Sequence, residues 1–281
     1  MFKINKITAQ TTVDFAAEEL KKYLRMMMPR RGEIPVAYAP EAADGYRLGL
    51  MSDFGLDTSD AENVALDDII YIDADENGGI IAGSNPGALL IAVYRYLRFQ
   101  DCRWLFPGVD GEYIPLKDGV VPVQYRKKAT HRYRGQCNEG AEFQQNMIET
   151  IDFTPKIGMN TYMLEFDIPF VYYNSYYSHT GSTVREPEPV TNEQVLQWKR
   201  QCEVEIQKRG LHFHDMGHGW TSEPFGLDSK HRGDLPPVPE EAKPFLAMIN
   251  GERQFAKRII DTNVCMSNPK VREIIDRKSV V

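Results

Sequence analysis

The sequence predicts an α/β protein in two parts: a small N-terminal α/β domain over residues 1–125, then, over residues 126–281, the first half of a (β/α)8 TIM barrel. Three observations lead there. The first part mixes helical periodicity with short strands and a hairpin turn. Beyond Tyr125 the pattern becomes strand, loop, helix, repeated, as in parallel β/α units. The residues after that point suffice for about four such units, whereas a closed barrel needs eight and typically ~250 residues.

In the first part, Phe15, Ala16, Leu20, Tyr23, Leu24 and Met27 recur at helical spacing over residues 12–28, with Pro29 and Gly32 as the stop. Three strands are expected at Tyr46–Leu50, Ile69–Asp73 and Gly79–Ala82, with Glu76-Asn77-Gly78-Gly79 as a hairpin turn between the last two. Asn85 then reads as an N-cap with Pro86 at the first position of a helix that presents Leu89, Ala92, Val93, Tyr96 and Leu97 on one face. The preceding Gly83-Ser84 turn is not a phosphate cradle, because GxxxxGK[ST] is absent. Ile114–Tyr125, rich in Pro and Val, reads as the connection between the parts.

In the second part, His131–Gly135 is the first expected strand and Glu142–Thr154 the first helix, closed by Pro155 and Gly158. Asn160–Phe166 is the second strand. A long loop with Tyr172, Tyr173, Tyr176 and Tyr177 follows. Thr191 and Gln194 form a capping box for a helix through Val195, Trp198, Cys202 and Ile206, ending at Arg209-Gly210. Leu211–Met216 is the third strand, Glu240–Ile260 a helix, and Asn263–Met266 the fourth strand. Four parallel strands alone would leave an apolar edge open, and the chain ends on the apolar Val280-Val281. The expectation is therefore a truncated barrel, a fragment of a longer protein; the alternative is a four-unit sheet that stands alone.

Composition narrows the function. A chain of 281 residues with 42% hydrophobic and 11% aromatic residues can build real cores. A net charge of −7 leaves no surplus of Lys and Arg for phosphates, which argues against a nucleic-acid partner. The basic run Arg25–Arg31 reads as a helix end, where cations are favoured. No apolar stretch reaches the ~18 residues of a membrane span, and the N-terminus lacks the apolar core of a signal peptide. Cys102, Cys137, Cys202 and Cys265 are scattered without a CxxC pair, so reduced thiols and a cytoplasmic location are expected, with no cofactor.

Barrels of this class carry function at the C-terminal ends of strands and in the loops beyond them. That rule selects Arg134 and Glu139, then Glu165 and Asp167, then the run His212 to Trp220, and finally Cys265, Ser267 and Asn268. Alternation puts His212 and His214 on one face of the third strand. His214 and His218 lie nearer the mouth, and Trp220 offers a flat face of the kind that stacks on a sugar ring. Glu165 ends an apolar strand, where a carboxylate needs a partner, and Arg134 is the expected one.

The stretch Ile81-Ala82-Gly83-Ser84-Asn85-Pro86-Gly87, with the Tyr94–Leu97 helix and Cys102-Arg103-Trp104-Leu105-Phe106-Pro107-Gly108, resembles the non-catalytic N-terminal α/β domain of bacterial α-glucuronidases and β-hexosaminidases. Tyr133-Arg134-Gly135, Gly158-Met159-Asn160 and Gly217-His218-Gly219-Trp220 resemble the start of the barrel in the glycosidase-like domain-of-unknown-function 4838 family. The resemblance covers nearly the whole chain, and its motifs are structural. It implies glycoside hydrolysis in the full-length protein, chemistry that uses two carboxylates flanking the scissile bond. It also implies that those carboxylates lie on later strands than this chain contains. Arg134, Glu139, Glu165, His214, His218 and Trp220 are then substrate-binding candidates for a carbohydrate partner, and the catalytic residues are unassigned.

Two alternatives stand beside this reading. One is a metal-dependent barrel hydrolase using His212, His214 and His218 with Asp215, a set lacking an established downstream ligand. The other is a non-catalytic carbohydrate-binding scaffold.

Overall fold

A computed structural model describes residues 2–138, 143–165, 170–217, 219–229, 231 and 233–279. The fold is mixed α/β. Its first elements are β1 (Ile4–Lys6), α1 (Thr11–Met27), β2 (Val36–Tyr38), β3 (Gly45–Leu50), β4 (Ile69–Asp75), β5 (Gly78–Gly83), α2 (Pro86–Phe99), β6 (Arg103–Trp104), β7 (Glu112–Tyr113) and β8 (Val123–Lys128). Six of these strands form one sheet in the order β2-β1-β3-β5-β4-β8. The pairs from β2 to β5 are parallel, while β4 runs antiparallel to β5 and β8 antiparallel to β4.

Alternation decides which face of this sheet is covered. Tyr46, Leu48, Ile72 and Ile81 point into the core, where α1 adds Val13, Ala16, Leu20, Leu24 and Met27 from one stripe. Each fully buried aliphatic side chain of this kind contributes about 1.5–3 kcal/mol. α2 is buried nearly all round, because it packs against α1, the sheet and the helix α3 introduced below. It starts where the sequence places it: Asn85 Oδ1 accepts from the Ala88 N–H at 2.9 Å, and Pro86 occupies the first turn.

The chain continues through β9 (Gly135–Asn138), α3 (Gln144–Lys156), β10 (Thr161–Glu165), α4 (Phe170–Tyr177), α5 (Asn192–Lys208), β11 (His212–Met216), β12 (Met248–Ile249), β13 (Glu252–Arg253) and α6 (Pro269–Ser279). β11, β10 and β9 form a second sheet in that order. The start of α5 is capped as expected, with the Gln194 N–H donating to Thr191 Oγ1 at 3.1 Å.

The chain divides into two compact units, one of Met1–Gln136, Gln144–Tyr162 and Arg200–Phe213, the other of Cys137–Phe143, Met163–Lys199 and His214–Val281. The first unit thus includes α3 and the C-terminal half of α5. A buried polar network joins them to the rest of that unit. Lys156 Nζ donates to Glu112 Oε1 at 2.7 Å and to Asp152 Oδ2 at 2.5 Å, and Tyr23 Oη donates to Glu112 Oε1 at 2.6 Å. Arg209 Nη2 donates to Asp152 Oδ1 at 2.6 Å, and Arg209 also pairs with Glu205. Trp104 packs edge-on to Tyr23 and Tyr94, with ring centroids 5.2 and 5.3 Å away.

Five expectations differ from the structure. The first strand of the second part, expected over His131–Gly135, is β9 at Gly135–Asn138, because Arg134 turns back to the His131 carbonyl at 2.7 Å. Val123–Lys128, whose first residues were expected in the connection, is the edge strand β8, held by its ladder with β4. The tyrosine loop is the helix α4, since Tyr173 and Tyr177, one helical turn apart, pack on Trp198 with centroids at 5.2 and 5.3 Å. Residues 240–260 are not a helix. Pro244 lies in a short 3-10 turn, and Asn250-Gly251, both at positive φ, form the two-residue loop of the β12–β13 hairpin. The expected fourth strand at 263–266 contributes a single bridge, Val264 to Leu246. The helix α6 had no counterpart in the sequence reading. Among the described residues no helix is long and apolar enough to cross a membrane, and no disulfide joins the four cysteines.

Candidate functional site

Glu165 closes β10. Tyr162 and Leu164 of the same strand are buried, so alternation sends Glu165 to the other face with Thr161 and Met163. Its carboxylate is half-buried, and Oε2 accepts a hydrogen bond from Tyr172 Oη at 2.8 Å. Tyr172 is placed by α4, which the Tyr173 and Tyr177 contacts with Trp198 hold against α5. From the other side comes Gly217, just after β11, at φ +114°. A Cβ on Gly217 would stand 2.4 Å from Glu165 Cγ and 3.2 Å from Oε1, so only glycine lets the chain pass so close. The carboxylate is oriented by these two neighbours.

Asp215 lies on the opposite face of β11 from His212 and His214. Lys199 Nζ of α5 donates to its Oδ2 at 2.7 Å, and Trp220 Nε1 donates to its Oδ1 at 3.3 Å. The ammonium also stands 5.8 Å from the Trp220 ring centroid. Trp220 is consequently only 8% exposed. The open stacking platform expected there is not present: the ring is covered, and its N–H fastens the turn after β11.

Arg134 belongs to another network. Its Nη2 donates to Asp68 Oδ2 at 2.6 Å, its Nε to the Gly158 carbonyl at 3.1 Å and its Nη1 to the His131 carbonyl at 2.7 Å. Asn160 Nδ2 donates to the same Asp68 oxygen at 2.8 Å, and Asn85 Nδ2 donates to Oδ1 at 3.0 Å. The partner of Arg134 is therefore Asp68, not Glu165 as expected. One residue earlier, Asp67 accepts from Arg132 Nε at 2.7 Å, and that guanidinium with the Asn63 N–H holds the carboxyl well below the usual carboxylate range. Sequence reasoning missed this acidic pair, whose only signal is its place directly before β4.

His212 stands edge-on to Tyr133, with centroids 5.5 Å apart, and His214 is half-buried. Glu139, Asp167 and His218 lie outside the described residues. Among the described residues no three His, Cys, Asp or Glu side chains converge as a metal group. Cys265 Sγ lies 3.1 Å from Ser267 Oγ, a hydrogen bond that lowers the thiol pKa, and Asn268 caps α6 through the Lys270 N–H at 3.0 Å.

The chain matches no known family model and no curated protein. Several solved structures are similar to it in part. A family 89 glycoside hydrolase from Clostridium perfringens in complex with PUGNAc gives a TM-score of 0.48 at 12% identity, over 95% of this chain and 31% of that one. A GH138 enzyme targeting pectin rhamnogalacturonan II gives 0.45 at 12% identity, over 84% and 28%. The structure of CpGH84D gives 0.44 at 13% identity, over 85% and 36%. This chain thus spans about a third of the length of proteins whose names mark them as glycoside hydrolases.

Proposed function

We propose that this chain is the front part of a carbohydrate-active protein of glycosidase type, and that the strand-end cluster around Glu165 binds sugar hydroxyls. The observation that carries the reading is the grip on Glu165 by Tyr172 Oη at 2.8 Å and by the backbone of Gly217. A carboxylate already oriented at a strand end accepts hydrogen bonds from ligand hydroxyls without first losing side-chain freedom. His214, from the adjacent strand, supplies a ring nitrogen that donates or accepts according to tautomer. Glu139 and His218 are the remaining proposed contacts, while Trp220 fastens the turn after β11. The resemblance of its motifs to the front of α-glucuronidases and hexosaminidases supports O-glycosyl hydrolysis as the activity of the whole protein. Neither of the two carboxylates that chemistry requires is assigned here. The scaffold reading draws on a specific observation, the commitment of Arg134, Lys199 and Trp220 to contacts that hold the fold.

The test is calorimetric titration of the chain with methyl glycosides of glucuronic acid and N-acetylglucosamine, beside assays with the matching aryl glycosides. Saturable binding that Glu165→Gln weakens by about tenfold, the worth of one charge-assisted hydrogen bond, is expected. Binding of the N-acetylglucosamine glycoside that is indifferent to Glu165→Gln overturns the assignment. Release of the aryl group by this chain would exclude the scaffold reading.

A further inference from the structure

The outer face of the six-stranded sheet carries a cleft of about 690 Å³ with a composition that the packing of the unit does not explain. Cross-strand register aligns Arg47 of β3, Ile80 of β5, Asp73 of β4 and Gln124 of β8 in one row. The next outward row is Gly45, Gly78 and Asp75. Two neighbouring strands therefore contribute no side chain there, and the depression has a backbone floor walled by Arg47, Asp73, Asp75 and Gln124.

The charged groups of this cleft are not equally served. Asp44 on the rim pairs with Lys3 Nζ at 2.7 Å. Asp75 Oδ1 accepts from the Asn77 N–H at 2.7 Å, and Asp73 Oδ1 accepts from Gln124 Nε2 at 3.3 Å. Arg47 is different. Its Nε is buried without a hydrogen-bond partner, and among the described residues no carboxylate lies within ion-pair distance of it. The Phe54 ring lies 6.0 Å from its guanidinium carbon. A buried donor left unpaired is costly, and guanidinium has the fork geometry that a carboxylate matches with two parallel bonds.

We propose that this cleft is a binding site for a small sugar acid. The ligand carboxylate takes the Arg47 fork, its hydroxyls donate to Asp73 and Asp75, and its ring lies over the Gly45–Gly78 floor. The flanking aspartates disfavour a bare anion by charge repulsion, while a hydroxylated carboxylate offers them donors. A neutral sugar satisfies the aspartates but leaves Arg47 unpaired. The site needs nothing from the Glu165 cluster and stands or falls separately from it.

The experiment is titration of the chain with D-glucuronate, followed by amide chemical shifts, with D-glucose and acetate as comparison probes. Saturable shifts at the Gly45, Gly78 and Asp75 amides are expected, with D-glucose and acetate each at least about tenfold weaker. Arg47→Gln should weaken glucuronate by about tenfold, whereas Glu165→Gln should leave these shifts unchanged. Arg47→Met should leave the thermal midpoint unchanged or raise it, because it removes an unpaired buried donor. Absence of saturation at those amides, equal binding of acetate and glucuronate, or unaltered affinity in Arg47→Gln would each overturn the proposal. A marked fall of the midpoint in Arg47→Met would overturn it too, by making Arg47 a structural residue.

Discussion

Gly87, in the first turn of α2, meets Gly210, the residue that ends the α5 segment, backbone to backbone: a Cβ on Gly87 would stand 2.5 Å from the Gly210 carbonyl oxygen. Gly210 itself sits at φ +63°. Gly210→Val combines a left-handed backbone with a collision, and should lower unfolding free energy by about 1–3 kcal/mol. Urea unfolding of the variant checks this, and a loss within error of zero would mean the two helices separate at little cost.

Lys156 is 3% exposed and bonds two carboxylates. Burial works against its charge, but Asp152 and Glu112 outweigh burial and raise its pKa. Lys156→Met leaves Glu112 without a cation and Asp152 with Arg209 alone, for an expected loss of about 3–5 kcal/mol. Adding Glu112→Gln should restore part of that loss. Chemical denaturation of the single and double variants gives the comparison.

Acid should destabilise the first unit in a defined direction. Burial pushes the Asp152 carboxyl up, and Lys156 and Arg209 more than reverse this, so its pKa lies below the usual value; Asp67 is lowered by Arg132. At neutral pH both aspartates are ionised in either state and their stabilisation is complete. As pH falls below about 4, where an unfolded aspartate titrates, the unfolded chain binds protons that the native chain refuses. Stability therefore declines with pH until the native groups also protonate. Asp152→Asn should flatten this acid slope in stability measured at successive pH values; an unchanged slope would show that Asp152 is not its source.

Tyr172→Phe removes the hydroxyl that orients Glu165 and nothing else from α4. Ligand binding at the Glu165 cluster should weaken about three- to tenfold with the melting temperature nearly unchanged. Gly217→Ala drives a methyl group against Glu165 Cγ, so it should impair binding more than Tyr172→Phe does. The reverse order would mean that the phenol, not the backbone, sets the carboxylate.

The legible elements in the sequence were those with local signals. α1 and α2 announced themselves by apolar spacing and by Asn85-Pro86, β3 to β5 by alternation around a glycine turn, and α5 by Thr191 and Gln194. α4 was not legible, because tyrosine has no strong helical preference and the segment is helical through contacts with Trp198. Residues 240–260 are not the expected helix because Pro244 and the Asn250-Gly251 turn carry the opposite message. In the candidate site, the strand-end rule found Glu165 but not Tyr172. Arg134 was found and then given the wrong partner, since Asp68 is far away in sequence and only folding brings the two together.

The return of α3 and the end of α5 into the first unit has a consequence for how the protein is made. Glu112 and Tyr23 leave the ribosome well before Lys156, and Asp152 before Arg209, which satisfies it. Vectorial synthesis therefore leaves Glu112 without its cation until Lys156 emerges, and Asp152 with one of its two cations until Arg209 follows. During that interval the segment after β11 has yet to emerge, so the first unit can complete its own ion pairs before the chain that follows is available to compete for them.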